Sequence, residues 1–250
     1  MIPKIIHYCW FGRKALPRSA KKCIESWKKY LPDYEIKEWN EENFDVNMIP
    51  YTQEAYSAKR YAFVSDYARF YILYHYGGIY FDTDVEVIKP IDDILEKGAF
   101  MGCETIAEEE IPLYVAPGLG LALEPKNEII KELLDLYSCL HFINSDGTHN
   151  LKTIVQYTTD ILVEHGLQKK GDIQNVGNIW IYPKDYFNPY DCEHNRMVLT
   201  INTRTIHYFA GTWKTNKERF MEFVEKTLGH YGVDFIPVSY THLRAHETRR

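Results

Sequence analysis

The sequence predicts an α/β protein built on a parallel sheet with helices on its faces. Three features predict it. The chain opens strand–helix–strand: Pro3–Trp10 carries Ile5, Ile6 and aromatics before Gly12, a helix runs from Pro17 to Tyr30, and Tyr34–Trp39 alternates as a second strand. A long Ala- and Tyr-rich helical stretch, Glu54–Tyr76, is apolar on nearly all sides and is therefore expected to be buried. It ends at Gly77-Gly78, and a short apolar strand, Ile79-Tyr80-Phe81, follows at once. Helical and strand patterns that alternate along a chain pack as helices on a sheet.

Each element has a local reason. Pro17 stands where a helix can begin, Ile24 and Trp27 supply its apolar stripe, and Leu31-Pro32-Asp33 breaks it. Asn40–Gln53 reads as polar loop with short pieces. Beyond Phe81, Val85–Ile88 resumes a strand that Pro90 ends, Ile91–Lys97 is a short helix and Ala99–Cys103 an apolar strand. Glu104–Glu110 is an acidic loop, expected to be mobile. Pro117-Gly118-Leu119-Gly120 reads first as a glycine-bearing turn, and second as backbone that a ligand can approach closely. Helices follow at Pro125–Leu140 and Leu151–His165, with loop at Asn144–Asn150 between them. Then come a strand at Ile179–Pro183, an aromatic loop at Tyr186–Asn195, a last strand at Thr205–Phe209 and a helix at Lys217–Leu228. From Val238 the sequence VSYTHLRAHETRR has neither apolar periodicity nor turn logic, so residues 1–237 are expected to form a single domain and 238–250 a disordered or foreign tail. His242 and His246 stand four apart in that tail, where metal binding has little to support it.

Composition narrows the function. With 250 residues, 45% of them apolar, the chain can bury a sizeable core. A net charge of −6 argues against nucleic acid held by bulk charge. The 20 tyrosines suit stacking on sugars or bases, although tyrosine also fills α/β cores, which is commoner. Cys9, Cys23, Cys103, Cys139 and Cys192 are scattered, with no pair at metal-ligand spacing, and read as reduced thiols of a cytoplasmic protein. No secretory signal pattern opens the chain and no run is long enough to span a bilayer, so any membrane association is expected to be peripheral.

The chemistry concentrates in Tyr76–Val87, YGGIYFDTDVEV. The strand stops on Asp82-Thr83-Asp84, and because successive strand side chains point to opposite faces, Asp82 and Asp84 point the same way. Paired carboxylates repel, and a divalent cation between them relieves the repulsion; hard oxygen ligands suit Mg²⁺ or Mn²⁺. A solvated acidic turn is the plainer reading. Upstream, Asp66 and Arg69 are three apart and share a helix face. They read either as a structural ion pair or as a functional one, because ionised groups in a buried helix need a partner or a job.

Taken together, these blocks resemble the DXD-containing glycosyltransferases of the capsular polysaccharide type, glycosyltransferase family 32. The resemblance runs through IPKIIHYCWFG, AFVSDYARFYILYHYGGIYFDTDV, IYPKDYFNPY and IHYFAGTW, covering nearly the whole chain to about residue 237. The middle block is also similar to the core of the clostridial glucosylating toxins. The resemblance implies a GT-A fold, with a Rossmann-like mixed central sheet flanked by helices. It further implies a nucleotide-sugar donor, a UDP-hexose, and metal-dependent transfer with retention at the anomeric carbon, using Mn²⁺ or Mg²⁺. By position it implies that Trp10 stacks on the uracil, that Asp66 binds donor-sugar hydroxyls, and that Arg69 and Tyr80 line the donor site. Asp82 and Asp84 would hold ribose and metal, and His207 and Trp213 would complete the metal and diphosphate site. The implied acceptor is a growing bacterial surface glycan on a lipid carrier at the cytoplasmic membrane face. The chain departs from the pattern after Leu151, where Leu151-Lys152-Thr153-Ile154-Val155 replaces a Thr-Gly-Pro element, which puts the acceptor contacts in doubt.

The chemistry is coherent without the family. A departing nucleoside diphosphate and a positively charged sugar must both be stabilised; a metal on Asp84 serves the first, while Asp66 and Arg69 orient the sugar. No enzymic nucleophile stands out, which favours front-face displacement assisted by the leaving phosphate. Two other classes stay open. One is a phosphohydrolase with an aspartyl nucleophile, although Glu86 stands where such enzymes usually carry Thr or Val and about 80 residues precede the pair. The other is a non-catalytic, cation-dependent carbohydrate-binding module.

Overall fold

The computed structural model describes residues 1–106, 113–191 and 196–211. In chain order the elements are β1 (Ile5–Cys9), α1 (Arg18–Tyr30), β2 (Glu35–Trp39), α2 (Pro50–Ser57), α3 (Tyr61–Tyr76), β3 (Gly78–Tyr80), β4 (Val85–Val87), α4 (Asp92–Leu95), β5 (Phe100–Gly102) and β6 (Leu121–Leu123). There follow α5 (Glu128–Ser138), α6 (Ile154–Glu164), β7 (Gln174–Val176), β8 (Ile179–Tyr182), α7 (Lys184–Phe187), β9 (Tyr190–Asp191), β10 (Arg196–Met197) and β11 (Thr205–His207). Seven strands form one central sheet in the order β2-β1-β3-β6-β5-β8-β7. β1 lies parallel to β2 and β3, and β5 parallel to β8, while β6 and β7 run against their neighbours. The opening strand–helix–strand is therefore the parallel unit the sequence predicts, and the whole is a mixed central sheet flanked by helices, as expected.

Alternation along the strands builds two cores, one on each side of the sheet. Ile6, Ile79, Phe100 and Ala122 face one, with Trp27 and Phe81. Cys9, Tyr80, Met101, Leu121 and Leu123 face the other, with Phe70 and Leu73 of α3 and Leu133 and Tyr137 of α5. As expected, α3 is deeply buried, Asp66 and Arg69 included. Its pairing partner in sequence, the Gly77-Gly78 turn, is held by β1. His7 Nδ1 accepts from the Trp39 indole N–H at 3.0 Å, so its proton sits on Nε2, which donates to Gly77 O at 3.0 Å. Only glycine fits at position 78: φ is +98°, and a Cβ would lie 2.6 Å from Ile5 O.

Several expected elements differ. The helix expected over Glu54–Tyr76 is two helices. Lys59 adopts φ +58° and Arg60 N bonds back to Ala55 O, closing α2 before α3 begins. The earlier half starts at Pro50, inside the stretch read as loop, with proline at the first helical position. The strand expected over Val85–Ile88 forms as β4, outside the central sheet, and pairs antiparallel with β11, His207 opposite Val85. The aromatic loop at Tyr186–Asn195 contains the end of α7 and all of β9. The short strands β6 and β7 went unread. Trp213, Cys192, the Lys217–Leu228 helix, most of the Glu104–Glu110 loop, and the 238–250 tail with its histidines lie outside the described residues. No described helix is long and apolar enough to cross a membrane.

Candidate active site

The site forms at the edge of the sheet where β1 and β3 both end. Their parallel register, His7 opposite Tyr80, brings Trp10 and the Asp82–Asp84 segment to the same edge, the place where α/β sheets bind ligands. The expected same-side strand geometry does not hold, because Asp82, Thr83 and Asp84 form a turn closed by Val85 N donating to Asp82 O at 3.0 Å. Each of the two carboxylates has its own partner, Arg69 for Asp82 and His207 for Asp84. From behind, Trp27 Nε1 donates to Val85 O at 2.7 Å and Val87 N donates to Ser26 Oγ at 2.9 Å. Helix α1 thus fixes the exit of the turn as His7 fixes its approach.

Arg69 is the node of the first half. Buried on α3, it anchors Nε on Ser65 O at 3.2 Å and directs Nη2 to Asp66 Oδ1 at 3.0 Å and to Asp82 Oδ1 at 3.2 Å. Nη1 lies 3.4 Å from Asp82 Oδ2, completing a fork on that carboxylate. The guanidinium carbon stands 4.7 Å over the Tyr80 ring, and Tyr80 OH donates to Asp82 Oδ1 at 3.2 Å. Gly118 closes this half. A Cβ there would meet Asp82 Oδ2 at 2.0 Å and Arg69 Nη1 at 3.0 Å, and its carbonyl accepts from Asp82 N at 3.1 Å. The Pro117–Gly120 turn is thus backbone that admits a close neighbour, and the neighbour is the protein's own carboxylate.

The second half pairs Asp84 with His207. Asp84 Oδ1 lies 3.2 Å from His207 Nε2, and Oδ2 accepts from Ala210 N at 2.8 Å. His207 Nδ1 is buried without a hydrogen-bond partner among the described residues, and the ring packs on Phe209 at 4.2 Å. Trp10 stands apart from both halves. It is half-buried on the α1 side of the sheet and donates its indole N–H to Lys14 O.

Burial and charge set the ionisation. Burial pushes the Asp66 carboxyl up to about 7; Arg69 works against this and Asp82 adds to it. Arg69 is held charged: burial opposes its charge, and Asp82 foremost overcomes that. For Asp84, burial pushes upward, but the hydrogen bond and charge of His207 and the Ala210 N–H hold it below the usual carboxylate range. His207 moves the other way: burial lowers it, and Asp84 more than compensates, with Asp82 and Glu104 assisting. Asp84 and His207 each favour the charged form of the other.

The donor chemistry suits a divalent metal, since a carboxylate oxygen and an imidazole nitrogen stand in contact and His207 carries an unpartnered ring nitrogen. Among the described residues no three His, Cys, Asp or Glu side chains converge on one point. Two protein donors would leave the remaining positions to a ligand's oxygens.

Sequence reasoning brought out Asp66, Arg69, Tyr80, Asp82, Asp84 and His207, and the structure gathers all six at this edge. It missed the supports: His7 with Trp39, Trp27 with Ser26, and the part played by Gly118. Each is a long-range contact, and only the bare glycine inside an apolar run carried a local signal.

Residues 17–101 match the family model of the glycosyltransferase sugar-binding region containing DXD motif. That span holds Asp66, Arg69, Tyr80, Asp82 and Asp84. Inositol phosphoceramide mannosyltransferase 1 of Schizosaccharomyces pombe is 30% identical over 111 residues, 40% of this chain and 33% of that protein. The chain thus spans about a third of that curated relative's length. An uncharacterized glycosyltransferase of Acanthamoeba polyphaga mimivirus is 26% identical over 206 residues, 78% of each chain. Among solved structures, the PaToxG glycosyltransferase aligns with a TM-score of 0.47 at 21% identity, covering 65% of this chain and 69% of that one.

Proposed function

We propose that this protein is a metal-dependent glycosyltransferase that moves a hexose from a nucleotide-sugar, a UDP-sugar, to a glycan acceptor with retention of anomeric configuration. The observation that carries the reading is the Arg69 node. One buried guanidinium aligns Asp66 and Asp82 at the sheet edge, beside the Asp84–His207 pair. Such a node presents fixed acceptors to sugar and ribose hydroxyls, and fixed groups need no reorganisation during reaction. Trp10, at the same edge, offers its ring to the base. Asp84 and His207 would hold a Mn²⁺ or Mg²⁺ ion, which when bound neutralises the departing diphosphate. In the transfer the bond from the anomeric carbon to the diphosphate oxygen breaks and a bond to the acceptor oxygen forms on the same face. The acceptor's hydroxyl proton passes to the leaving phosphate oxygen. Asp66 and Arg69 orient the sugar throughout.

The mannosyl transfer named for the Schizosaccharomyces pombe relative falls within the hexose class. The acceptor is a surface glycan, lipid-linked, as in capsular polysaccharide synthesis in bacteria, and the protein works peripherally at the cytoplasmic face of the membrane. The test is a hydrolysis screen of UDP- and GDP-hexoses with Mn²⁺ and with EDTA. One hexose donor hydrolysed in Mn²⁺ and spared in EDTA is the expected result. No hydrolysis of any donor would leave a carbohydrate-binding module as the better reading. Hydrolysis of simple phosphomonoesters instead would favour the phosphohydrolase.

A further inference from the structure

A cavity of about 350 Å³ opens between the Cys103–Ile106 segment, α7 and the β9–β10 ribbon. That is enough volume for a small ligand. Its lining mixes Ile106, Val198 and Tyr190 with Lys184, Asp185 and Asn188. Asn188 is 1% exposed; its Nδ2 donates to Glu104 O at 3.1 Å, which fixes the amide's orientation and leaves Oδ1 without a partner among the described residues. An orphaned buried acceptor is costly, and a ligand hydroxyl satisfies it.

Beside the cavity runs an apolar ridge. Met197, Val198, Leu199 and Ile201 are 40%, 43%, 57% and 87% exposed, and Val198 also lines the cavity. Exposed apolar residues scattered singly need no explanation, but a contiguous run does. The ridge is held from beneath by polar hooks. Lys89 Nζ donates to Ile201 O at 3.0 Å, Arg204 Nη1 to Asn202 O at 2.7 Å, and Thr200 Oγ1 to Asp185 Oδ2 at 2.9 Å. Cavity and ridge adjoin the reaction site. Thr205 Oγ1 donates to Phe187 O at 3.0 Å, pinning α7 to the strand that ends in His207. The Glu104 carboxylate lies within electrostatic reach of both His207 and Lys184.

We propose that the cavity and ridge are the acceptor subsite and that the acceptor is amphipathic, with its sugar headgroup in the cavity against Asn188 and its hydrocarbon chain along Met197–Ile201. A purely apolar occupant would leave Asn188 Oδ1 unsatisfied, and a purely polar one would leave the ridge in water. The name acceptor rests on the glycosyltransferase reading; the amphipathic binding does not.

The test uses the whole chain and calorimetry. The probes are n-octyl glucoside, galactoside and mannoside below their micelle concentrations, their methyl counterparts, and 1-octanol. At least one octyl glycoside should bind about ten-fold tighter than both its methyl counterpart and octanol, since the chain buries apolar area and the headgroup meets the amide. In the Leu199→Asp/Ile201→Asp protein, shown to melt like the parent, that preference should fall below about two-fold. Equal binding of methyl and octyl glycosides, octanol binding as tightly as the octyl glycosides, or an undiminished preference in the variant would each overturn the proposal. Mn²⁺-dependent donor hydrolysis by the unaltered protein is read in parallel. Hydrolysis without octyl-glycoside preference defeats the acceptor subsite alone, and preference without hydrolysis defeats the glycosyltransferase reading.

Discussion

Arg69 grips both oxygens of Asp82, Nη2 at 3.2 Å from Oδ1 and Nη1 at 3.4 Å from Oδ2, while the same Nη2 reaches Asp66 at 3.0 Å. A helix residue and a turn residue are thereby locked into one planar arrangement. Lysine can supply the charge but not the fork. Arg69→Lys should therefore fold, hydrolyse the donor roughly a hundred-fold more slowly, and bind free UDP within about two-fold of the parent. Steady-state kinetics and calorimetry check this. A variant that melts earlier yet turns over normally would make the arrangement a structural ion pair.

Gly118→Ala tests the same fork from the other side. The added methyl would stand 2.0 Å from Asp82 Oδ2, the free end of a side chain, so the carboxylate can swing away without moving the backbone. Hydrolysis should fall by roughly ten-fold or more with a melting temperature close to the parent's. A large loss of stability with unchanged specific activity would contradict this.

Trp10→Ala should weaken UDP binding by roughly 1–3 kcal/mol, the range for a base stacked on an aromatic ring. Unchanged UDP affinity in a folded variant would remove Trp10 from the donor site.

His7 makes a pH prediction. Burial, assisted by Lys37 and opposed by the hydrogen bond to Gly77, pushes its pKa down to about 4. The unfolded chain therefore binds a proton between pH 6.5 and about 4 that the folded chain refuses. The stabilisation from neutral His7 is present above pH 6.5 and is lost as pH falls toward 4, about 3 kcal/mol in all. Asp66, raised to about 7, works in the opposite sense: its contribution is present at acid pH and is lost as pH rises through that value. The comparison must therefore be between proteins. Urea midpoints at pH 7 and 4.5 should diverge less in His7→Gln than in the parent, and equal slopes would contradict the assignment.

How much of this could be read from the chain depends on how local the cause is. The opening β1–α1–β2 unit was readable because five-residue apolar strands and a helix with Ile24 and Trp27 on one stripe express their period in sequence. Asp66 and Arg69 were readable as a pair because three residues along a helix share a face. The break at Lys59 was not, since nothing in Ala58-Lys59-Arg60 announces a left-handed residue. Strands of three residues such as β6 and β7 are too short to show a period. That Asp82 turns toward Arg69 and Asp84 toward His207 depends on β4 leaving the sheet to pair with β11, a contact across more than a hundred residues. The acidic pair could be seen in sequence, but the division of labour within it could not.

In the proposed transfer the decisive group is the carboxylate of Asp84, held with His207 where a metal and a diphosphate would meet. Asp84→Asn keeps the size of the side chain and its bond from Ala210 N, and removes the charge. The decisive measurement is the initial rate of Mn²⁺-dependent hydrolysis of the preferred nucleotide-sugar by the Asp84→Asn protein beside its parent. A folded protein slower by roughly a thousand-fold or more is expected; a rate near the parent's would remove Asp84 from the metal site.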